Sequence, residues 1–466
     1  MLLKQYYLAC LSHASYLIAD EKTRTAAIVD PQRDVDQYLA DAEASGVSIR
    51  HVFLTHFHAD FVAGHVELRE RTGASIHLGA RAEAEFPFER MRDGEDLSFG
   101  DVRLRFLETP GHTPEGVSIL VYDLARDAQA PHAVLTGDTL FIGDVGRPDL
   151  MASTGVTAEE LAGMLYDSLH ERLLKLPDAT LVYPAHGAGS SCGKNLSKDS
   201  VSTIGAQRAH NYALQPMSKA AFVRMSTSNL PAAPAYFAHD ANENRRMHTT
   251  LAKNLERALV PMTLARVLGA QASGAVVLDV RDPAEFEPEH LAGSVNIGLG
   301  GRFASWAGSL LDPRAEIVLV AARGKESEAA MRLARVGFDG VLGYLETGFD
   351  AVRARPDLVR SIERWSPATL AQRLTTEEPP LVVDVRNPGE WDEARIEGSL
   401  LIPLDKLGDR LRSLPRDRRI AVHCASGYRS SIAASLIERS GIVGLADLIG
   451  GIQAWQGAGQ PIESGN

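Results

Sequence analysis

At 466 residues, with 45% apolar and 23% charged residues, the chain has ordinary globular composition and room for two to four domains of ~150 residues each. A formal net charge of -12 argues against nucleic acid or an anionic membrane as a partner, and no window approaches the ~18 consecutive apolar residues of a membrane span. Three scattered cysteines, Cys10, Cys192 and Cys424, exclude a disulfide framework. The opening stretch Met1 to Tyr7 lacks an apolar h-region and a cleavage site, so a cytoplasmic protein is expected.

Leu8 to Asp30 reads as two short strands about the polar turn Asp20-Glu21-Lys22-Thr23. Val35 to Ser45 has helical spacing, with Asp34 placed to cap its start and Gly46 to end it. The largely apolar run Ile49 to Leu54 then delivers the chain to Thr55-His56-Phe57-His58-Ala59-Asp60-Phe61. Two imidazoles and a carboxylate so close together suit zinc, iron or manganese better than calcium, and the absence of thiolates argues against a structural zinc knuckle. A helix is expected over Val62 to Gly73 and a strand over Ser75 to Leu78. Three further strands end in polar landmarks: Thr109-Pro110-Gly111-His112-Thr113-Pro114, whose turn leaves an imidazole exposed, Thr136-Gly137-Asp138-Thr139, and Tyr183-Pro184-Ala185-His186. Strand ends in one layered fold can converge, so these His and Asp residues are candidates for a single site.

In this order and spacing the four motifs resemble the metallo-β-lactamase fold, an αββα sandwich, over roughly residues 1 to 245. Residues 201 to 245, including Gln207-Arg208 and Asn229-Leu230-Pro231, resemble the helices that close that domain. Dinuclear hydrolases of the glyoxalase II type carry a further histidine directly after the aspartate; here that position is Phe61, which cannot ligate. The resemblance is therefore to the mononuclear persulfide dioxygenases (sulfur dioxygenases). It implies Fe(II), with zinc the alternative, held by His56, His112 and Asp138, and open positions for substrate sulfur and O2. His58, Asp60 and His186 would orient ligands and bound water, with His58 also open as a direct ligand. Gly146-Arg147-Pro148-Asp149 matches the same branch, which implies that Arg147 lies in a glutathione pocket; pairing with Asp149 to stiffen the loop is the other reading. Tyr183 can line that pocket or simply pack. Cys192, in a glycine-serine loop after His186, is either a sulfur-carrying thiol near the metal or a tucked, inert one.

The C-terminal half contains a duplication. Leu278-Asp279-Val280-Arg281-Asp282-Pro283 recurs as Val383-Asp384-Val385-Arg386-Asn387-Pro388. Each copy alternates short apolar strands with helices, the pattern of a parallel sheet covered on both faces. In the second copy, strand Ile420 to Val422 feeds His423-Cys424-Ala425-Ser426-Gly427-Tyr428-Arg429-Ser430, and a helix is expected over Ser431 to Arg439. A thiol between a strand end and a helix N-terminus, with an arginine beside it, is primed as a thiolate. The motif resembles the rhodanese sulfurtransferases, which implies that Cys424 accepts sulfane sulfur as a persulfide while Arg429 helps cradle the anion; Asp384 and Arg386 read as structural. In the first copy Ala321 takes the cysteine position and Glu326 the arginine position, so that copy is expected to be a non-catalytic spacer or docking domain.

The expected organisation is a metallo-β-lactamase-like domain over 1–250, a rhodanese domain without its cysteine over 251–358 and an active rhodanese domain over 359–466. The resemblances imply oxidation of glutathione persulfide, or a similar low-molecular-weight persulfide, with O2 to sulfite and thiol, coupled to transfer of sulfane sulfur to or from sulfite and thiosulfate. A glyoxalase II-like zinc thioester hydrolase and a non-catalytic sulfur carrier or sensor are the alternatives. Sequence leaves the oligomeric state open, a homo-oligomer included.

Overall fold

Apolar residues alternate along the N-terminal strands, and each parity of that alternation finds its own core. In the computed structural model, which describes residues 1–150, 155–194, 196–228, 230 and 232–465, Ala14, Tyr16 and Ile18 face inward with Phe53, Phe106, Ile119 and Leu135. Leu17 and Ala19 face outward, with Tyr38 and Leu68 of the flanking helices. On the other side Leu120, Val134 and Val182 pack with Leu165, Ile204 and Phe222. This period of two builds four layers, helix, sheet, sheet, helix. Burying each large side chain in such layers contributes about 1.5–3 kcal/mol.

The first sheet orders β1 (Leu2–Leu8), β2 (His13–Asp20), β3 (Thr25–Val29), β4 (Ser48–Phe53), β5 (Ser75–Gly79) and β6 (Glu89–Met91) consecutively. The second runs β7 (Asp96–Phe99), β8 (Val102–Glu108), β9 (Val117–Asp123), β10 (Ala133–Gly137), β11 (Leu181–Pro184) and β12 (Ser202–Thr203). Because β3 pairs parallel with β4 and β10 parallel with β11, the residues that follow these strands leave each pair at the same end. The expected helices form with two corrections. The first spans Asp36–Ala44, and Asp34 does not cap it, because its carboxylate is taken by Arg335 at 2.8 and 2.7 Å. The second begins only at His65: Ala63 N donates to Asn244 Oδ1 at 2.8 Å, so this segment is already bonded elsewhere. Of the expected closing segment, Asn229 and Pro231 lie outside the described residues, while helices Ile204–His210, Lys219–Thr227 and Phe237–Glu243 form.

The chain divides into two compact units, Met1–Lys253 with Ala334–Gly337, and Asn254–Leu333 with Phe338–Asn466. The second unit holds the duplication, and its two five-stranded sheets are parallel throughout. One orders β13 (Pro261–Met262), β18 (Val341–Leu345), β17 (Ile317–Val320), β14 (Val276–Asp279) and β16 (Val295–Asn296); β15 (His290–Leu291) and β19 (Val359–Arg360) form a separate ribbon. The other orders β20 (Glu363–Trp365), β24 (Leu445–Leu448), β23 (Ile420–His423), β21 (Leu381–Asp384) and β22 (Leu400–Leu401). The order of the five strands is the same in both copies. Asp279 pairs with Val320 and Asp384 with His423, which places Ala321 and Cys424 at equivalent strand ends. Among the described residues no helix is long and apolar enough to cross a membrane.

Candidate metal centre and thiol loop

His56 follows β4, His112 lies between β8 and β9, and Asp138 follows β10. These three strand ends bring one donor atom each to within 4.8 Å of one another. His112 Nε2 lies 3.4 Å and His56 Nε2 3.8 Å from Asp138 Oδ2. The other ring nitrogen of each histidine is engaged: His112 Nδ1 donates to the Arg147 carbonyl at 2.9 Å, and His56 Nδ1 lies 3.0 Å from Thr55 Oγ1. Such partners fix ring orientation and leave Nε2 for a metal. The expected exposure of His112 is not found; it is buried, as are His56 and Asp138, because the Arg147 loop closes over it. Gly146 permits that closure, since a Cβ there would sit 1.9 Å from the Asp138 carbonyl oxygen.

Burial lowers both imidazoles, His56 well below the ordinary histidine range. Burial alone would raise Asp138, but His186 and His56 beside it hold its carboxyl well below the ordinary range. Two neutral imidazoles and one carboxylate are the protonation states a divalent cation requires, so the donor set fits a metal.

His58, Asp60 and His186 form a second group, their donor atoms also within 4.8 Å of one another. His186 spans two carboxylates, with Nδ1 2.8 Å from Asp138 Oδ1 and Nε2 2.9 Å from Asp60 Oδ2. Burial disfavours its charge, yet Asp138 and Asp60 together hold it well above the usual range. His58 Nε2 lies 3.0 Å from Asp30 Oδ1, and its buried Nδ1 has no hydrogen-bond partner among the described residues. Phe61 packs on His13 and His58, at 4.0 and 4.5 Å between ring centroids.

The other N-terminal candidates divide. The Arg147 guanidinium is buried and forked onto Asp149 at 2.7 Å through Nε and 2.7 Å through Nη2, and it donates to Ser191 O at 3.3 Å. Tyr183 packs against Tyr16, at 5.6 Å between centroids, beside the inter-sheet core. Cys192 is buried, and its sulfur lies within 4.8 Å of donor atoms of Asp138 and His186; burial first, then Asp60 and Asp138, pushes its thiol up.

Sequence reasoning did not single out Asp30, which accepts from Thr55 N at 2.7 Å and Thr55 Oγ1 at 2.9 Å while facing His58. The signal was present, because Asp30 ends an apolar strand as Asp138 does. His13, buried and with neither ring nitrogen hydrogen-bonded among the described residues, carries no such signal.

In the second unit Cys424 is buried at the end of β23. Gly427 N donates to its Sγ at 3.1 Å and Ser430 Oγ at 3.6 Å. The following helix spans Tyr428–Arg439, starting earlier than the sequence suggested, because left-handed Gly427, at φ 111°, turns the loop straight into it. Arg429 forks onto Glu390 at 2.7 and 2.6 Å. Arg386 forks onto Asp384, and Arg281 onto Asp279 in the other copy, each with a 2.6 Å Nη2 contact, so this pair has the same place in both repeats.

Residues 8–186 match the metallo-beta-lactamase superfamily, and 263–355 and 366–458 each match the rhodanese-like domain. The solved metallo-beta-lactamase of Staphylococcus aureus subsp. aureus COL is 31% identical with a TM-score of 0.65, over 74% of this chain and 98% of that one. Mitochondrial persulfide dioxygenase ETHE1 of Bos taurus is 30% identical over 187 residues, 40% of this chain and 68% of the relative. The chain belongs to the metallo-beta-lactamase superfamily. This superfamily member carries two rhodanese-like domains after its metallo-beta-lactamase fold. The cytoplasmic hydroxyacylglutathione hydrolase of Arabidopsis thaliana is 33% identical over 187 residues, 40% of this chain and 67% of the relative, so both chemistries occur among its relatives.

Proposed function

We propose that the N-terminal domain is a mononuclear iron persulfide dioxygenase and that Cys424 is the thiol of a rhodanese-type sulfurtransferase. Phe61 carries the first half: it puts a phenyl ring where a second metal would need an imidazole. The substrate of this reading is glutathione persulfide or a similar small persulfide, which with O2 and water yields sulfite and the free thiol. His56, His112 and Asp138 would hold a ferrous ion, which would supply the redox chemistry that dioxygen requires.

The chain's own residues do the rest. The Arg147 carbonyl and Thr55 hydroxyl orient the two imidazoles. His186, between Asp138 and Asp60, fixes the Asp138 carboxylate and has both ring nitrogens engaged. Arg147 faces its own Asp149, so a role in binding the thiol part of the substrate would require that fork to open or to share the guanidinium. At the second site, Gly427 N and Ser430 Oγ donate to Cys424 Sγ at the start of the helix Tyr428–Arg439, which holds the sulfur in place for transfer. Joining the two sites in one chain raises the effective concentration of any shared sulfur species.

Oxygen-electrode assays with glutathione persulfide, paired with anaerobic metal analysis, test the proposal. Oxygen uptake with sulfite formation and about one iron per chain are expected. Cleavage of S-lactoylglutathione with no oxygen uptake would replace it with the zinc hydrolase reading, which the proximity of His58, Asp60 and His186 favours. A protein with neither bound metal nor sulfur transfer would be a carrier or sensor instead.

A further inference from the structure

The thiol-less repeat reaches the Cys424 loop. Tyr428 Oη donates to Gly298 O at 2.7 Å, Ser431 Oγ donates to Asn296 Oδ1 at 2.9 Å, and Asn296 N donates to Ser435 Oγ at 3.0 Å. Gly301 has no room for a Cβ, which would lie 2.4 Å from the Tyr428 ring. Two carboxyls meet at this seam: Glu287 from the first repeat, fully buried, and Asp447 on β24, 2% exposed. Arg364 Nε donates to Glu287 Oε2 at 2.8 Å, and Arg364 is the strand partner of Asp447 between β20 and β24. Among the described residues, neither the buried Glu287 Oε1 nor the buried Asp447 Oδ1 has a hydrogen-bond donor.

Two ionised carboxylates side by side in a buried site, with a guanidinium bonded to only one of them, carry a large desolvation and repulsion cost. A single proton held between them removes the second charge and gives each orphan oxygen a partner. In keeping with this, burial and then the Glu287 carboxyl raise Asp447 well above the carboxylate range, and burial raises Glu287. Besides Glu287 and Arg364, Asp447 faces the Ser430 hydroxyl and Cys424. Arg429 also faces the thiol but is bound to Glu390.

We propose that Glu287 and Asp447 form an inter-repeat carboxyl pair that holds one proton and relays it through Ser430 to Cys424 Sγ as sulfur leaves. This rests on the sulfurtransferase reading of Cys424. In transfer from the persulfide anion to sulfite, a sulfite lone pair bonds to the terminal sulfur, the Sγ–S bond breaks, and its electron pair goes to Sγ. Thiosulfate dianion departs. Ser430 gives its proton to Sγ while accepting one from the pair, leaving the Cys424 thiol. Loading that thiol from thiosulfate runs the same bonds in reverse and returns the proton. The carboxyls touch no substrate and act as positioning residues, so the first repeat contributes a working group although it has no thiol.

The test uses the full-length protein. Infrared spectra at neutral pH should contain a protonated-carboxyl C=O band that Asp447→Asn and Glu287→Gln each remove. With thiosulfate as donor and cyanide as acceptor, wild-type kcat should fall on an alkaline limb as the pair gives up its proton. Each variant should lose that limb and on the order of a hundredfold or more in kcat, with KM for thiosulfate unchanged. Absence of the band, or lowered activity with the alkaline limb intact, overturns the pair. If neither variant folds, Ser430→Ala, at the far end of the relay, must lose the limb, and an unchanged limb there overturns the proposal. A wild-type protein with the band but no sulfur transfer would instead defeat the reading on which the proposal rests.

Discussion

The ring of Phe61 stands 4.0 Å from that of His13, centroid to centroid, and the two fill the space beside Asp60 and His186 with a phenyl group and an imidazole. Phe61→His should place a nitrogen donor there. Metal content by plasma mass spectrometry should rise from about one to about two per chain. A ratio that stays at one would mean that Phe61 is not what limits the site.

The two candidate sites are built from separate residues and should fail separately. His112→Ala removes one of three donors and should abolish oxygen uptake, a loss of at least ~100-fold given that even outer partners carry 10–100-fold effects. Cyanide-dependent sulfur transfer should persist. Cys424→Ser should do the reverse. Loss of both activities in either variant would sink the two-site reading.

Asp60 holds His186, which in turn holds Asp138 of the proposed ligand set. Asp60→Asn should therefore weaken metal affinity by about 10–100-fold without removing binding, measured by competition with a chelator. Complete loss of metal would make Asp60 a ligand itself.

The strand-end histidines and aspartates were legible because each sits in a short motif after an apolar run, and a layered sheet brings such ends together. The duplication was legible for a similar reason: the Asp-Val-Arg forks and the glycine before each helix are local. What was not legible depends on three-dimensional neighbours. The sequence allows Arg147 both a pocket and a pairing with Asp149, and only the loop's course brings Asp149 into its fork. His13 lies in a strand whose residues of both parities are buried, so alternation gives no hint of a polar role. Glu287 and Asp447 come from different repeats and meet only because the helix after Cys424 packs on the other copy.

The Arg429–Glu390 fork carries a pH signature. Hydrogen bonds from Arg429 are the leading cause that lowers Glu390 below its ordinary 4.5. A depressed carboxylate contributes stability that is present above the unfolded value and lost as pH falls through the folded one. The melting temperature of Glu390→Gln should lie below wild type by a constant amount above about pH 4.5 and converge with it on acidification. A gap that widens in acid would contradict the pairing.

The silence of the first repeat can be tested by restoring its thiol. Gly324 and Gly427 are both left-handed, at φ 84° and 111°, so the loop after Ala321 retains the turn that aims backbone N–H groups at the cysteine position. What differs is charge, with Glu326 where the active copy has Arg429. A carboxylate there disfavours a thiolate. In a Cys424→Ser background, Ala321→Cys should react with iodoacetamide at neutral pH roughly tenfold more slowly than Cys424 does in the wild type, the effect of about one pKa unit. Adding Glu326→Arg should recover most of that rate. If Ala321→Cys alone reacts as fast as Cys424, the missing thiol accounts for the silence and Glu326 contributes nothing to it.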